Sequence, residues 1–414
     1  MGRTLLRGAV VHSRVWLPLL LAATVLPAAG ITEPVQVTGY FVEDGATTGH
    51  YLVKDIAASG AASMLNTLDY AFGRVANRRC EIDNEDTALK HAYRALESVD
   101  GVADTPAPGQ LRGTFHQLQE LKQRYPGLKV LISLGGWGGS GGFSKAAEPD
   151  HVRDFVSSCV EKFIRGRFAA GIEAPGIFDG IDIDWEYPVA GALARGRPED
   201  KQRLTAMLAE FRRQLDAIRP GLLLTAALPA READYRYFEL AKISAYLDAI
   251  SLMAYDLHWD TERMTSFHSA LFHDPADPSP PPLDQYFGDY AVQAFLRAGV
   301  PARKLLLGVP FYGKAWTSVS QQNHGLYQAG KKGREDSGSY RQLQALPASA
   351  DRQYNPQAGT CSVWYKNDFW SYDCPEAMRA KVKYVREHDL RGVMFWELSQ
   401  DTADSELLRT LTGK

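Results

Sequence analysis

Three carboxylates occupy alternate positions, Asp182, Asp184 and Glu186, in the stretch Phe178-Asp179-Gly180-Ile181-Asp182-Ile183-Asp184-Trp185-Glu186-Tyr187-Pro188. On a β-strand they share one face, while Ile181, Ile183 and Trp185 line the other. Each negative charge raises the pKa of its neighbours, so at least one proton is held or shared near neutral pH. A carboxyl that keeps its proton there can donate it in one step and recover it in the next, which is general acid/base chemistry. An exposed charged edge strand would not carry two isoleucines and a tryptophan on its reverse face. A carboxylate cluster is also what a hard divalent cation needs, and the three acids taken alone leave that alternative open.

Such a row has to be positioned by a scaffold. Segments rich in Val, Ile, Leu, Phe and Tyr recur at 35–41, 67–72, 129–134, 178–184, 222–228, 249–254, 304–309 and 392–396, and each reads as a strand. Amphipathic stretches at 110–125, 150–165, 200–218, 235–246 and 375–388 read as helices between them. Strands alternating with helices predict an α/β chain folded as a (β/α)8 barrel over residues 31–414. The connection 310–391 is longer than one helix and two loops require, so a small α+β insertion is expected at about 317–373, between the seventh and eighth strands. Trp364, Tyr365, Phe369, Trp370 and Tyr372 fall in it, to line a cleft or to build the insertion's own core. The barrel is expected to take up nearly all of the chain after residue 30 and to leave no room in it for an appended carbohydrate-binding module.

With 414 residues, 45% hydrophobic and 23% charged, the chain can bury a large core. A formal net charge of -3 gives no basic footprint for nucleic acid. Residues 1–30 read as a secretory signal: Arg3, Arg7 and Arg14 precede an apolar run over 15–26, and Ala28, Ala29 and Gly30 follow. That run is short for a bilayer span, so the mature protein is expected to be extracellular and free of the membrane, a retained amphipathic anchor being the alternative. None of the four cysteines has the close paired spacing of a zinc site. Cys361 with Cys374 closes a short local loop and is the favoured bridge, leaving Cys80 with Cys159; other connectivities, or two free thiols, remain open.

In a (β/α)8 barrel the strands' C-terminal ends form the active face. Glu186 stands outermost there on the fourth strand. The third strand ends Ser133-Leu134-Gly135-Gly136-Trp137, the sixth runs into Met253-Ala254-Tyr255-Asp256, and the seventh ends Gly308-Val309-Pro310-Phe311-Tyr312-Gly313. The eighth carries Met394-Phe395-Trp396 and the first Gly39-Tyr40-Phe41. In this order, and with the row Asp-Gly-x-Asp-x-Asp-x-Glu-Tyr-Pro, they resemble glycoside hydrolase family 18, the chitinases and their relatives, over nearly the whole chain after the signal.

The resemblance implies Glu186 as general acid and base, Asp184 binding the substrate's acetamido N–H, and Asp182 sharing a proton with Asp184. It implies Tyr255 bonding the acetamido oxygen, Trp396 as the floor beneath the sugar, and Tyr40 and Ser133 stabilising Asp182. Met253, Asp256 and Tyr312 are further substrate contacts on this reading, and Trp137, Trp259 and Trp316 are stacking platforms for pyranose faces. Asp179, outside the alternating row, is expected to position the strand. The implied substrate is chitin or its oligosaccharides, cut by a monomer without metal or cofactor. Two departures bear on substrate contacts: Lys314 stands where the family often has arginine, and Leu257-His258-Trp259-Asp260 replaces a glycine-containing loop.

Overall fold

The computed structural model describes residues 35–43, 51–105, 107, 109–189, 196–259, 262–333 and 338–414, together with residues 1, 2, 4 and 8. The apolar run of the expected signal segment lies outside the described residues. Eight strands, β1 (Gln36–Val42), β2 (Thr67–Ala76), β3 (Lys129–Gly135), β4 (Gly180–Asp184), β5 (Leu223–Pro229), β6 (Ala249–Met253), β7 (Leu305–Pro310) and β8 (Gly392–Trp396), pair in chain order. All these pairings are parallel, and β8 and β2 both flank β1, so the sheet closes on itself. Strands covered on both faces can be apolar throughout, which is why β3 and β7 read as near-continuous hydrophobic runs, whereas β4 alternates isoleucine with aspartate. The helices α1 (Val53–Ala58), α2 (Gly113–Arg124), α3 (Val152–Cys159), α4 (Asp200–Ile218), α5 (Leu240–Tyr246), α6 (Gly288–Arg297), α7 (Pro375–Glu387) and α8 (Glu406–Thr412) follow the strands in turn. The expected (β/α)8 architecture is therefore the one found.

Element boundaries differ where local chemistry overrides periodicity. The stretch 150–165 is not one α-helix, since α3 gives way to a wider helical turn over Val160–Ile164. The expected helix 235–246 is shorter: Glu232–Tyr235 forms its own turn, and α5 starts only at Leu240. β2 runs past residue 72 because it doubles back through Asn77 and Arg78, both at positive φ, into an antiparallel partner at Arg79–Ile82. α6 was not visible as a periodic helix. Its buried residues Ala291, Val292 and Phe295 make a short stripe directly after a proline-rich loop.

Between β7 and β8 the chain forms a separate five-stranded antiparallel sheet from Lys314–Thr317, Lys331–Lys332, Asp351–Asn355, Thr360–Tyr365 and Asp368–Tyr372. A helical turn, Tyr340–Gln344, is capped by Ser339 in a reciprocal capping box. Phe267, Trp316, Val319, Leu326 and Phe369 build a second small core there. Two disulfides, Cys80–Cys159 and Cys361–Cys374, account for all four cysteines. The first ties the Arg79–Ile82 strand to α3 and the second ties this sheet to the start of α7. No helix among the described residues is long and apolar enough to cross a membrane.

Candidate active site

β4 carries the acidic row into the barrel, and register explains its partners. Asp182 lies beside Ser133 of β3 and beside Thr225 of β5, so the three side chains point to the same interior face. Ser133 Oγ donates to Asp182 Oδ2 at 2.8 Å, Thr225 Oγ1 to Oδ1 at 2.6 Å, and Tyr40 Oη from β1 to Oδ2 at 2.9 Å. Asp182 has no solvent exposure. Burial raises its pKa, while the three hydroxyls favour the ionised form and lower it.

Asp184, one pleat outward, is buried too, and its Oδ1 has no hydrogen-bond partner among the described residues. Burial first, and then the charges of Glu186, Asp182 and Asp69, hold its pKa well above the usual carboxylate range. Glu186 lies just beyond the strand, 9% exposed at the cleft wall. Burial, with smaller help from Asp256 and Asp234, pushes its pKa up to about 7 against a lowering hydrogen bond from Tyr187. Burial thus pushes all three carboxyls of the row toward the protonated form.

The backbone behind the row is pinned from β3. Gly135 adopts φ +111°, and a Cβ there would come within 2.2 Å of Asp184 O, so only glycine allows the strands this approach. Gly136 N–H donates to that carbonyl at 2.8 Å. Ser140 Oγ lies 3.0 Å from the same carbonyl and accepts the Glu186 N–H at 2.9 Å. On the reverse face Trp185 stacks on Phe143, with centroids 5.2 Å apart. Asp179 takes the Val130 N–H at 3.0 Å and the Lys122 ammonium at 2.7 Å, which fixes β4 against β3 and α2.

These groups open into a cleft of about 980 Å³ whose walls include Tyr40, Trp137, Asp184, Glu186, Met253, Tyr255, Asp256, Trp259, Tyr312, Lys314 and Trp396. Trp396 stacks on Phe72 at 5.6 Å and leans on Tyr40 at 5.3 Å, giving a flat apolar floor. Trp137, the more exposed, and Trp259 meet at 5.3 Å. Trp316 is a correction to the sequence reading: it is fully buried in the second core, and its indole N–H donates to Glu262 O at 2.9 Å, so it offers no face to a sugar. Ser133 lies beneath the cleft as a support for Asp182.

Asp256 is the ionised hub on the far wall. Burial alone would raise its pKa, but a hydrogen bond from His268 and the Lys314 charge outweigh it and hold it at about 2. Tyr312 Oη donates to Asp256 Oδ1 at 2.7 Å, and Lys314 Nζ lies 3.4 Å from the same oxygen and 5.8 Å from the Trp259 ring centroid. Lys314 therefore binds Asp256 as a point charge, without the two-pronged grip of a guanidinium. Lys314→Met is expected to raise KM severalfold with kcat within about twofold, since it loosens a wall of the cleft without contacting the acidic row; initial-rate kinetics check this. Thr225, Ser140, Asp69 and His268 escaped sequence reading. Thr225 alone had a signal, an inward polar residue on a strand next to the acidic one.

The chain matches the family described as Glycosyl hydrolases family 18 over residues 36–401. It is 35% identical to Chitinase C of Streptomyces lividans over 387 residues, covering 90% of this chain and 58% of that protein. It is 36% identical to Chitinase A1 of Niallia circulans over 310 residues, 70% of this chain and 43% of that protein. The chain thus spans only about two fifths to three fifths of the length of these relatives. The catalytic domain of psychrophilic chitinase B from Arthrobacter TAD20 superposes with a TM-score of 0.84 at 33% identity, covering 92% of this chain and 95% of that one. A barrel with an acidic row at the end of its fourth strand, matched over this span, leaves one assignment: the chain belongs to glycosyl hydrolases family 18.

Proposed function

We propose that the protein is an exported chitinase that hydrolyses β-1,4 linkages between N-acetylglucosamine units with retention of anomeric configuration. The observation that carries this reading is Glu186, a carboxyl with pKa about 7 at the wall of an aromatic cleft and backed by the buried Asp184. One sugar lies over Trp396. Glu186 gives its proton to the glycosidic oxygen while the sugar's own acetamido oxygen attacks C1, so the C1–O bond breaks and a cyclic oxazolinium ion forms. Water then attacks C1 and returns a proton to Glu186, and the ring opens to restore the amide. Asp184 accepts the amide N–H and shares a proton with Asp182, and the Tyr255 hydroxyl holds the amide oxygen. An ordinary retaining glycosidase uses a second carboxylate as nucleophile; an intramolecular one avoids much of the entropy cost of bringing reactants together. No metal or cofactor takes part. The arginine-flanked apolar run in residues 1–30 supports export.

The test is hydrolysis of a chromogenic chitobioside, with the first product followed by NMR. A β-anomer formed first, at a rate indifferent to a chelator, is the expected result. An inverted anomer sinks the mechanism, and chitin binding without product means a lectin. Release of single N-acetylglucosamine units alone would place the protein with N-acetylglucosaminidases, such as that of Paenibacillus barengoltzii, whose structure superposes with a TM-score of 0.71 at 27% identity.

The pH profile follows from the same carboxyl. Above its pKa of about 7, Glu186 has lost its proton before substrate arrives. The alkaline limb of kcat/KM should therefore have its midpoint near 7 and fall about tenfold per further pH unit. A plateau reaching pH 9 would contradict this assignment.

A further inference from the structure

Outside the cleft, the long connection before α2 meets the helix at a cluster of different chemistry. His116 and Glu120 sit one helical turn apart on α2 and so face the same way, and Asp104 approaches from the connection. Asp104 Oδ1 lies 2.8 Å and Glu120 Oε1 3.5 Å from His116 Nδ1, and the three atoms fall within 4.8 Å of one another. Each carboxylate is anchored through its other oxygen. Asp104 Oδ2 accepts the Tyr93 N–H at 2.9 Å, while Glu120 Oε2 accepts the Ser98 hydroxyl at 3.0 Å and the Asp100 N–H at 3.3 Å. The side chains of Asp104 and Glu120 are 2% and 9% exposed, and His116 is 25% exposed.

We infer that Asp104, His116 and Glu120 form a binding site for a divalent cation of the zinc class, remote from the catalytic cleft. Two carboxylates with largely buried side chains facing one imidazole offer more acceptor charge than a single imidazole balances, and a cation seated among them would offset the cost of burying it. A tetrahedral ion about 2.1 Å from each donor sets donors about 3.4 Å apart, which the Glu120–His116 separation of 3.5 Å already matches and which the Asp104–His116 separation of 2.8 Å reaches by opening slightly. One imidazole and two carboxylates suit zinc; calcium would require six to eight oxygens. Anchoring of both carboxylates by second-sphere hydrogen bonds is the arrangement that holds metal ligands in place. The bound ion would fasten the connection to α2, and none of its ligands lines the cleft.

The experiment uses the tag-free full chain, stripped with a chelator and titrated with zinc chloride. One zinc per chain by elemental analysis is expected, with a rise in Tm of about 3 °C at a hundredfold excess over Kd and unchanged chitobioside hydrolysis. His116→Gln should retain no zinc and show no rise, and Glu120→Gln serves as the second variant should the first not fold. Absence of bound zinc and of any Tm change in the wild type overturns the inference and leaves the imidazole as a clasp between two acids. An equal rise in the wild type and in either folded variant also overturns it, because the ion then binds elsewhere.

Discussion

Glu186→Gln is expected to lower kcat on a chitobioside by about 10³-fold or more, with KM little changed, because glutamine fills the same space and has no proton to give. A loss under about tenfold would remove Glu186 from the role of acid. The variant also carries a stability signature whose sign is fixed. In the folded protein the Glu186 pKa stands at about 7, against 4.5 for an ordinary glutamate, so folding favours the protonated form. Stability from that side chain is present in full below about 4.5 and is lost as pH rises through about 7, where a buried carboxylate has to exist as the anion. Glutamine has no such dependence. The variant should therefore gain on the wild type between pH 5 and pH 8, by on the order of 3 kcal/mol, and chemical denaturation at the two pH values measures it. A flat difference would mean that the carboxyl is not shifted.

Much of this architecture was legible because it rests on local patterns. Parallel strands buried on both faces read as short apolar runs, and the alternation Ile-Asp-Ile-Asp-Trp-Glu states directly which side chains face the barrel interior. Gly135 and Gly136 stand in the motif that ends the third strand, and the structure supplies a reason for Gly135 in the Asp184 carbonyl. What stayed hidden depends on partners far apart in sequence. Trp316 looks like any aromatic near a strand end, and only the sheet it joins decides that it faces a core. His268 holds Asp256 from 12 positions further along the chain and carries no motif. Ser140 is one serine in a glycine-rich loop until the fold brings its hydroxyl to the Glu186 N–H. The helix stretch 235–246 misled because Tyr235 and Phe238 supply apolar spacing while packing as separate turns.

Lys381→Met is expected to destabilise the protein by about 3–5 kcal/mol, although this lysine lies on a helix whose sequence looks amphipathic and unremarkable. Lys381, 2% exposed, pairs through its ammonium with Asp373, which has no exposure, and donates to Ser269 O at 2.7 Å. Burial lowers the lysine's pKa and the Asp373 charge restores part of it. The other carboxylate oxygen accepts from Ser269 Oγ at 3.0 Å and Thr360 Oγ1 at 3.1 Å. One ion pair therefore joins α7, the chain after β6 and the antiparallel sheet, in a place where water cannot substitute. Methionine matches the volume and leaves Asp373 buried without compensation, whereas removing both charges with Asp373→Asn in the same chain should recover most of the loss. Chemical denaturation of the wild type, both single variants and the double variant measures this; a single-variant loss under about 1 kcal/mol, or a double variant no better than Lys381→Met, would show that the pair contributes nothing net. The same seam adjoins the strand whose Ser371 pairs with Lys314, a residue of the cleft wall. Lys381→Met should for that reason raise KM for longer chito-oligosaccharides more than it lowers kcat, since the acidic row stands on β4 and is held by β1, β3 and β5 on the opposite side of the cleft's chemistry.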